Sequence, residues 1–526
     1  MLIIYQLIIS LLLIISPFII FYRINKNKED PKRFKEKFAI PSKKRKEGKL
    51  IWFHGASVGE LLSIVPIIKH YEKNKNIDQI LITSSTLSSS KIINKFKFKK
   101  TIHQFYPIDH FIFTEKFLKY WKPNLAVFIE SEIWPYMFKK IEQMNIPITL
   151  LNARLTRKTS NRWLKIKFFA KSIFNKITIA YPQNLETKIF LKKIRINKIK
   201  FIGNLKFIDT LEINKNKKIK EFKNLFKNKK IWVASSTHEP EEKFCAKAHI
   251  ELKIKHKNLI TVIIPRHIHR VPKIIKKIEE LNLNYVLHSD KTKILKNIDI
   301  YIVDTFGETN QFHMIATSVF LGGSIIERGG QNPLEAARHG AKILHGPNIG
   351  NFKDVYKLLK SFKVSKKVNS PKGLAQSVVF RKNKIIGIKI KNIGKKILKK
   401  TIKELNYLIN KNKFGYFYLE ANGWALHEKM GWVYIAEPDA LLNATAWCWS
   451  ESLGWFWTGR PYFEYIFVNE FSKWMQWQGG VNEPDGWSLI TDYATKDVVS
   501  SEVFQIQRAA ATISAFSNST EVINYV

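Results

Sequence analysis

A short loop rich in small residues places a carboxylate at the start of a predicted helix. The apolar segment Leu50–Phe53 is followed by His-Gly-Ala-Ser-Val-Gly and then by Glu60. Small residues let the backbone turn tightly and approach a ligand, and the helix dipole keeps a carboxylate in the first turn ionised. Two interpretations of Glu60 follow: a general base that faces a cleft, or an acid that only caps its helix.

Two further acids follow a second apolar segment. Glu130 and Glu132 come directly after Leu125–Ile129, and carboxylates in such a place are costly to bury unless they are paired or used. Arg154 and Lys206 each follow a later predicted strand, so each brings a cation to the same edge of a sheet. These cations are candidate partners for the acids; taken singly, each is equally compatible with a solvated loop charge.

Hydroxyls, glycines and an arginine mark a second series of strand ends. Ser235–Glu239 offers hydroxyls and backbone N–H groups at a helix start, which is a natural seat for a phosphate. Arg266 follows the predicted strand Leu259–Ile264, where a guanidinium can form a bidentate contact with phosphate. A carboxylate at Glu335, in the first turn after a glycine-rich loop, can accept hydrogen bonds from ribose hydroxyls. The remaining loops of this series are Asp304–Glu308, Gly322–Ser324 and Gly329–Glu335.

Motifs that hold a nucleotide-bound metal are absent from the sequence. There is no Walker A loop, no Gly-x-Gly-x-x-Gly fingerprint and no Asp-x-Asp pair. We therefore predict no metal site, and we expect protein donors to stabilise any leaving phosphate.

The elements that must position these residues alternate between strands and helices. From residue 49 to about residue 400, short β-branched or aromatic segments alternate with Lys-rich amphipathic stretches, a pattern typical of a parallel sheet covered by helices. A weak repeat with an offset of about 180 residues relates Ile51-Trp52-Phe53 to Ile231-Trp232-Val233 and predicts two Rossmann-like domains. The linker is placed at 211–230. The candidate strands are Leu50–Phe53, Gln79–Thr83, Leu125–Ile129, Ile148–Leu151, Ile177–Tyr181, Ile231–Ala234, Leu259–Ile264, Ile300–Val303 and Val319–Leu321.

The N-terminus carries an uncharged segment, Leu2–Tyr22, that is long enough to cross the hydrocarbon core of a bilayer as a helix. No basic residue precedes it and no cleavage site follows it, which favours an uncleaved anchor over a signal peptide. The basic residues after it place the body in the cytoplasm by the positive-inside rule. Because Pro17 can kink the helix, a helix lying in one leaflet stays open beside a spanning one.

Charge divides the chain into two parts of different character. Residues 1–413 contain 83 basic and 30 acidic residues, whereas 414–526 contain 5 basic and 13 acidic residues and nine of the fourteen tryptophans. Strong basicity predicts attraction to a polyanion, either nucleic acid or an anionic membrane face. A general drift to lysine is the simpler explanation, and charge alone does not choose between them. The two cysteines, Cys245 and Cys448, are far apart, which excludes a disulfide framework.

The motifs taken together resemble a known family. Residues from about 30 to 405 are similar to the 3-deoxy-D-manno-octulosonic acid (Kdo) transferases of lipopolysaccharide synthesis, and the motifs agree in order and spacing. The matching segments are His54–Glu60, Glu130–Pro135, Asn152–Thr156, Gly203–Phe207, Ser236–Glu239, Pro265–His267, Asp304–Glu308, Gly322–Ser324 and Gly329–Glu335.

The resemblance implies a GT-B glycosyltransferase with two Rossmann-like domains facing a cleft, which moves Kdo from CMP-Kdo to a lipid A precursor at the membrane without a metal or cofactor. By motif, Glu60 resembles the proton acceptor, and Glu130 and Lys206 resemble transition-state stabilisers. Arg154, His238 and Ser324 belong to matching motifs and are taken as substrate-binding residues. The residues that resemble CMP contacts are Pro265, Arg266, Phe306, Gly307, Glu308, Asn332, Pro333, Leu334 and Glu335.

Two segments depart from the family pattern. The hydroxyl-rich tract 83–90 lacks the proline and glycine expected there, and Ile268 and His269 stand where an acidic residue is more usual. The first departure weakens the inference that the tract contacts the sugar.

Four segments follow from these patterns: a membrane anchor at 1–23, an acceptor domain at 24–215, a CMP-sugar-binding domain at 216–413, and an acidic Trp-rich segment at 414–526. The last has no counterpart in the family. Period-two alternation in Ala446–Trp449 and Gly454–Trp457 predicts strands there, either packed as a β-rich domain or exposing aromatic rings to a sugar or a membrane interface.

The sequence thus predicts an enzyme of the bacterial inner membrane, with one N-terminal anchor and its catalytic domains on the cytoplasmic face. Its expected partners are CMP-Kdo, a lipid A precursor and an anionic membrane surface, and no nucleic acid. Another GT-B glycosyltransferase with a different sugar nucleotide is the alternative within enzymes. A basic nucleic-acid-binding protein is the alternative from another class, but it leaves the acids and glycines at successive strand ends unexplained.

Overall fold

The structure, a computed structural model, describes residues 1–196, 198–209, 216–290 and 297–409, and the strands between 417 and 489. The chain divides into two compact units, Met1–Leu405 and Asn406–Val526. The predicted boundaries at 215 and 413, and part of the predicted linker 211–230, lie outside the described residues.

The first α/β domain is built on a six-stranded sheet with the order β3-β2-β1-β4-β5-β6, in which all pairs are parallel. Its strands are buried along almost their whole length because helices cover both faces. The strands are β1 Leu50–His54, β2 Gln79–Ser84, β3 Thr101–Phe105, β4 Leu125–Ile129, β5 Ile148–Ala153 and β6 Ile179–Pro182. The helices are α1 Leu2–Asn25, α2 Val58–Lys73, α3 Leu87–Asn94, α4 Phe111–Trp121, α5 Pro135–Gln143, α6 Arg157–Lys165, α7 Lys167–Phe174 and α8 Leu185–Lys193.

The second α/β domain has a seven-stranded parallel sheet with the order β13-β12-β11-β7-β8-β10-β9. Its core packs around Trp232, Ile263, Ile302 and Phe320, which are fully buried. The strands are β7 Lys230–Thr237, β8 Leu259–Pro265, β9 Tyr285–Leu287, β10 Ile300–Ile302, β11 Ser318–Leu321, β12 Lys342–His345 and β13 Ser365–Lys367. The helices are α9 Asn216–Leu225, α10 Glu241–Lys253, α11 Val271–Glu279, α12 Thr309–Ile315, α13 Leu334–Ala337, α14 Lys353–Ser361, α15 Pro371–Ala375 and α16 Lys384–Ile409.

The described residues of these domains also form four short 3-10 helices. They are Phe34–Phe38, Leu205–Phe207, Ile268–Arg270 and Gly350–Phe352.

The predicted fold of two Rossmann-like domains is confirmed. Strands β1 and β7, which the internal repeat singled out, are the central strands at which each sheet reverses its strand order. All nine predicted strands exist, but the segment predicted from Ile177 begins at Ile179, and the one predicted to reach Val303 ends at Ile302. Four strands were not predicted: β3, β9, β12 and β13. Of these, β9 and β13 are three-residue strands at the edges of the sheet, with half-exposed or exposed side chains.

Helix α16 returns from the second domain to the first. Tyr181 donates a hydrogen bond to Glu404 Oε2 over 3.0 Å, and Lys200 forms an ion pair with the same carboxylate. A Cβ at Gly394 of this helix would lie 2.3 Å from the carbonyl oxygen of Phe207. A glycine is therefore needed there for the 203–208 segment to lie against the helix.

Helix α1 is apolar, and it is the one described helix whose length and composition suffice to cross a membrane. Its first turns are bonded to the first domain. Tyr5 donates to Asp109 Oδ2 over 2.8 Å, Gln6 bonds to the backbone of Asp109 and Phe111, and the Ser10 hydroxyl lies 3.1 Å from His110 Nε2. The other faces of the helix expose large apolar side chains.

The second unit contains an eight-stranded antiparallel sheet in sequence order. The strands predicted in Ala446–Trp449 and Gly454–Trp457 are both present in this sheet. Their side chains alternate in burial, since Cys448 and Phe456 are buried whereas Trp455 is 37% exposed. The β-rich segment is thereby confirmed. Its strands are β14 Phe417–Leu419, β15 Trp424–His427, β16 Gly431–Ile435, β17 Thr445–Ser450, β18 Gly454–Gly459, β19 Tyr465–Val468, β20 Lys473–Trp477 and β21 Trp487–Leu489.

Candidate active site

The carboxyl ends of β1 and β4 form one edge of the first sheet. The two strands are neighbours in the sheet although β2 and β3 lie between them in the chain, so the strand order reverses between them. Ligands in open α/β sheets bind at such a reversal, beyond the carboxyl ends of the strands. The loop that carries Glu60 follows β1, and the loop that carries Glu130 and Glu132 follows β4. The fold therefore brings these three carboxylates together.

Glu60 closes a capping box at the start of α2. Ser57 is the N-cap, and its hydroxyl accepts a hydrogen bond from the Glu60 N–H over 3.3 Å and donates to Glu60 Oε1 over 2.8 Å. The Ala56 N–H donates to Glu60 Oε2 over 2.8 Å. Glu60 thus caps its helix, and within the described residues its carboxylate forms no ion pair.

The surroundings of Glu60 make it a stronger base than an ordinary glutamate. Partial burial raises the pKa of Glu60, and the negative charges of Glu132 and Glu130 raise it further, while the hydrogen bonds from Ser57 and Ala56 act in the opposite direction. A general base works best when its pKa lies near the operating pH. The capping role and the role of base are compatible, since capping orients the carboxylate and the acidic neighbours increase its proton affinity.

Glu130 has its partner in Lys206. The Lys206 Nζ lies 2.9 Å from Glu130 Oε1, and the two side chains are 18% and 12% exposed. Glu130 adopts a left-handed backbone conformation, with φ of 56°, directly after β4. Its N–H donates to the Leu151 carbonyl and its carbonyl accepts from the Arg154 N–H. The turn is therefore fixed on both sides, and it aims the carboxylate at the lysine.

The segment that carries Lys206 is held by both domains. The Asn204 side chain accepts a hydrogen bond from the Lys206 N–H over 2.9 Å, and Asn152 accepts one from the Leu205 N–H over 3.0 Å. From the second domain, the buried Arg338 donates to the carbonyl oxygens of Lys206 and Ile208. The position of Lys206 consequently depends on how the two domains pack.

A histidine that sequence reasoning missed lies beside the three acids. His54, at the end of β1, is fully buried, with Nδ1 2.9 Å from the Thr83 hydroxyl and Nε2 3.1 Å from Glu132 Oε2. Burial lowers the pKa of His54, although the bond to Glu132 opposes this effect. Trp134 Nε1 donates to Glu132 over 3.2 Å. The signal was available, because His54 opens the same loop that ends in Glu60.

In the second domain, the corresponding edge lies where β7 and β11 meet. The Gly322 N–H donates to the Ser235 carbonyl over 2.9 Å, and a Cβ at Gly322 would lie 2.2 Å from the Ser236 carbonyl oxygen. Only glycine allows this approach of two backbones. The Arg266 N–H bonds to the Thr237 carbonyl, which attaches the loop after β8 to the same place.

A buried carboxylate that sequence reasoning missed organises these loops. Glu241, at the start of α10, is fully buried. Its Oε2 accepts from the N–H groups of His238 and Gly323, and its Oε1 accepts from those of Ser324 and Ile325, over 2.7 to 2.9 Å. Four hydrogen bonds to one carboxylate fix the glycine-rich turn. Glu241 lies two residues after the Ser-Thr-His-Glu motif, but three of its four partners are 82 to 84 residues away in sequence.

The residues predicted to bind the substrate at this edge differ in how exposed their side chains are. Arg266 is exposed, and the His238 ring lies 6.0 Å from the His267 ring. Pro265 is buried at the end of β8. The Ser324 hydroxyl is buried, donating to the Leu321 carbonyl and accepting from the Gly346 N–H. Ser324 therefore uses its hydroxyl within the fold, while Arg266 can reach a ligand.

The loop after β10 has an exposed aromatic ring beside an exposed glycine. Phe306 is 77% exposed, and no atom lies within 4 Å of the Cβ position at Gly307. Glu308 is directed inward, with its Oε2 at 2.7 Å from His288 Nε2 and accepting from the Thr305 hydroxyl over 2.8 Å. Phe306 and Gly307 are thus accessible, and Glu308 is held by the loop.

The last predicted loop lies against the glycine turn. The Gly330 N–H donates to the Gly323 carbonyl over 2.8 Å, and the Asn332 side chain accepts from the Leu334 N–H over 3.1 Å. Pro333 and Leu334 are buried and begin the short helix α13. Burial raises the pKa of Glu335, while Arg338 lowers it and Asp209 raises it.

Comparisons with known proteins identify the family of this chain. The family model of 3-deoxy-D-manno-octulosonic-acid transferase matches residues 32–209. A 3-deoxy-D-manno-octulosonic acid transferase of Rickettsia bellii is 35% identical over 365 residues, which cover 68% of this chain and 86% of the relative. The chain belongs to the Kdo transferase family. The transferase of Haemophilus influenzae is 27% identical and covers 61% of this chain and 76% of the relative.

Solved structures are similar to this chain at lower identity. A glycosyltransferase of Rickettsia africae is 13% identical, with a TM-score of 0.46, over 70% of this chain and 100% of that chain. The C-terminal CMP-Kdo binding domain of an Acinetobacter baumannii protein is 21% identical, with a TM-score of 0.29, over 36% of this chain and 97% of that chain.

The substitution Glu241→Gln should loosen the glycine turn of this Kdo transferase. A glutamine offers one acceptor oxygen where four N–H groups need two, and an unpaired buried donor costs about 1–3 kcal/mol. We expect a lower free energy of unfolding in urea and faster hydrogen exchange at Gly323–Ile325. The control is Glu251→Gln, an exposed acid on the same helix. Unchanged exchange at the turn would show that Glu241 does not hold it.

Proposed function

We propose that this Kdo transferase moves Kdo from CMP-Kdo to a lipid A precursor by a single inverting displacement that uses no metal. The observation that carries the proposal is the placement of Glu60, whose pKa is raised by burial and by two acidic neighbours, beside the Lys206–Glu130 pair at the reversal of the first sheet. In one displacement, one base suffices and no protein nucleophile is needed.

In this proposal, the acceptor hydroxyl oxygen attacks the anomeric carbon of Kdo. The bond from that carbon to the CMP phosphate breaks, and the phosphate oxygen takes its electron pair. Glu60 takes the proton from the attacking hydroxyl. Lys206, fixed by Glu130, offsets negative charge at the reacting centre, because a preorganised cation acts most strongly where water is excluded.

The second domain would hold the departing CMP. The exposed Arg266 is suited to a bidentate contact with the phosphate, and the accessible Phe306 and Gly307 to contacts with the cytidine. Of the other predicted residues, His238 donates its N–H to Glu241 and Pro265 ends β8. Asn332 and Glu335 follow Gly330, whose N–H donates to the Gly323 carbonyl. Protein donors would thus stabilise the leaving group without a metal. The described residues contain no cluster of three His, Cys, Asp or Glu side chains suited to a metal ion.

Replacing Glu60 by glutamine should abolish transfer while preserving CMP binding. The change keeps the size of the side chain but removes the proton acceptor, and a positioned base contributes about 10²–10⁴-fold to the rate. Mass spectrometry of the lipid after incubation with CMP-Kdo measures the product, and calorimetry with CMP measures binding. Full turnover by Glu60→Gln would refute the assigned base.

Two further variants serve as controls for that experiment. Glu115→Gln removes a half-buried acid of α4 that pairs with Lys119 and Lys140, away from the three acids of the site, and should leave both readouts unchanged. Arg266→Ala should give the converse result, weakening CMP binding, since hydrogen bonds to charged groups contribute about 1.5–3 kcal/mol.

The pH dependence of transfer should report the raised pKa of Glu60. The base must be ionised, so kcat is full above this pKa and falls as the pH drops through it. Because the pKa is raised, the fall should occur above the usual range of glutamate. Glu132→Gln removes one of the charges that raise it and should move the fall of kcat to lower pH. An acid limb that does not move would exclude the coupling between Glu132 and Glu60.

We also propose that α1 lies in one leaflet of the bilayer, with the body on the cytoplasmic face of the inner membrane. A helix of 24 residues is about 36 Å long, so a spanning α1 would carry Tyr5 to the far side of the membrane. Tyr5, Gln6 and Ser10 are instead bonded to 109–111, and Arg23 at the other end forms an ion pair with Glu29 over 3.1 Å. These contacts support an in-plane helix.

Cysteine labelling distinguishes the two arrangements of α1. A single cysteine in a short polar tag before Met1 should be inaccessible to a membrane-impermeant maleimide in intact spheroplasts and should react after permeabilisation. The native Cys245 and Cys448 are buried and give little background. Lys28→Cys is the control for a cytoplasmic position. Labelling of the tag in intact spheroplasts would establish a spanning helix.

A further inference from the structure

A crevice of about 340 Å³ lies beside Lys206, between the two α/β domains. The first domain contributes residues 154–157 and 183–186, and the second contributes residues 350–355. Arg154 spans it, with its guanidinium 3.4 Å from the Asn351 carbonyl oxygen. None of the predicted CMP contacts lines the crevice, so it is distinct from the proposed donor site.

Three helices begin at this crevice. They are α6, α8 and α14, each nine residues long, and the first residues of each line the wall. The helix dipole makes each N-terminus electropositive. Thr156 caps one N–H of α6 and Asn184 caps one of α8, while α14 has no side-chain cap. Three such ends on one crevice favour a negatively charged ligand.

The side chains of the crevice add to this positive potential. Arg154, Arg157, Lys206 and Lys353 line it, against two carboxylates, Glu186 and Asp354. Glu186 pairs with Arg157 over 3.2 Å, but the two side chains are 48% and 90% exposed. Such an exposed ion pair is weak, so a ligand anion can replace Glu186 as the partner of Arg157.

One residue of the crevice wall also contains a buried acceptor atom that has no partner within the described residues. Gln183 is 9% exposed and lines the wall, and its Oε1 has no hydrogen-bond partner within the described residues. An unpaired buried acceptor is costly, and a hydroxyl group of a ligand would satisfy it. The ligand that fits both features carries an anionic group and hydroxyls.

We propose that the crevice binds a phosphate-bearing sugar of the acceptor and so orients its hydroxyl toward Glu60. The proposal rests on the proposed function and names a subsite for its acceptor. Lys206 connects the two places, since it lines the crevice and also pairs with Glu130. Phosphate is the anion for which several N–H groups and a guanidinium are best suited.

The variants Arg157→Gln and Lys353→Gln test the subsite. Both side chains are exposed, so the fold should tolerate the changes. We expect each to raise the KM for a bisphosphorylated lipid A precursor about tenfold and to leave the KM for CMP-Kdo unchanged. Lys165→Gln and Lys357→Gln are matched controls, because they lie on the same two helices, are exposed, and do not line the crevice.

The acceptor itself provides the second arm of the test. A phosphatase can remove one phosphate from the acceptor. If that phosphate occupies the crevice, its removal should raise the KM of the wild type for the acceptor, and Arg157→Gln should raise this KM no further. If neither removable phosphate shows this coupling, the subsite is refuted. An increase in the KM for CMP-Kdo would assign the crevice to the donor, and a change that depends only on anionic bilayer lipids would assign it to the membrane surface; both overturn the proposal. Failure of the wild type to transfer Kdo would instead refute the proposed function.

Discussion

The ion pair between Lys206 and Glu130 is the contact on which the geometry of the site depends. Both charges are largely removed from water, and removing one partner would leave the other buried and unpaired, which is strongly destabilising. The pair connects the turn after β4 to the segment 203–208. Arg338 of the second domain holds that segment by its carbonyl oxygens, and Gly394 of α16 allows it to pack. The position of the Lys206 side chain therefore depends on how the two domains pack.

The acids of the first domain are divided between paired and unpaired roles. Glu130 is neutralised by Lys206, and Glu132 is held by His54 and Trp134. Glu60 has hydrogen-bond donors but no cation among the described residues, so its neighbours raise its proton affinity. In the second domain, Glu241 is satisfied by four backbone N–H groups and serves the loop instead of a ligand. Environment, more than residue type, separates a candidate base from a structural acid.

Much of the fold could be predicted because buried parallel strands are continuous apolar segments. The strands around Trp52, Phe128 and Trp232 have such a signal, and all were found. Strand β13 was missed because an edge strand of three residues, two of them lysines, carries no such pattern. The His54–Glu132 and Glu241–Gly323 contacts were missed for another reason: their partners are 78 and 82 residues apart, and local spacing does not reveal them.

The sequence alone determined the alternation of strands and helices, the loops at the strand ends, and the family to which the motifs belong, because these depend on local pattern and residue type. It left Glu60 as either a base or a cap, and α1 as either spanning or lying in a leaflet. Tertiary structure decided the partner of each charge, the bonds of Tyr5 and Ser10 to the body, and the meeting of three helix N-termini at one crevice. Those features arise from strand order and domain packing, which place residues far apart in sequence within hydrogen-bonding distance.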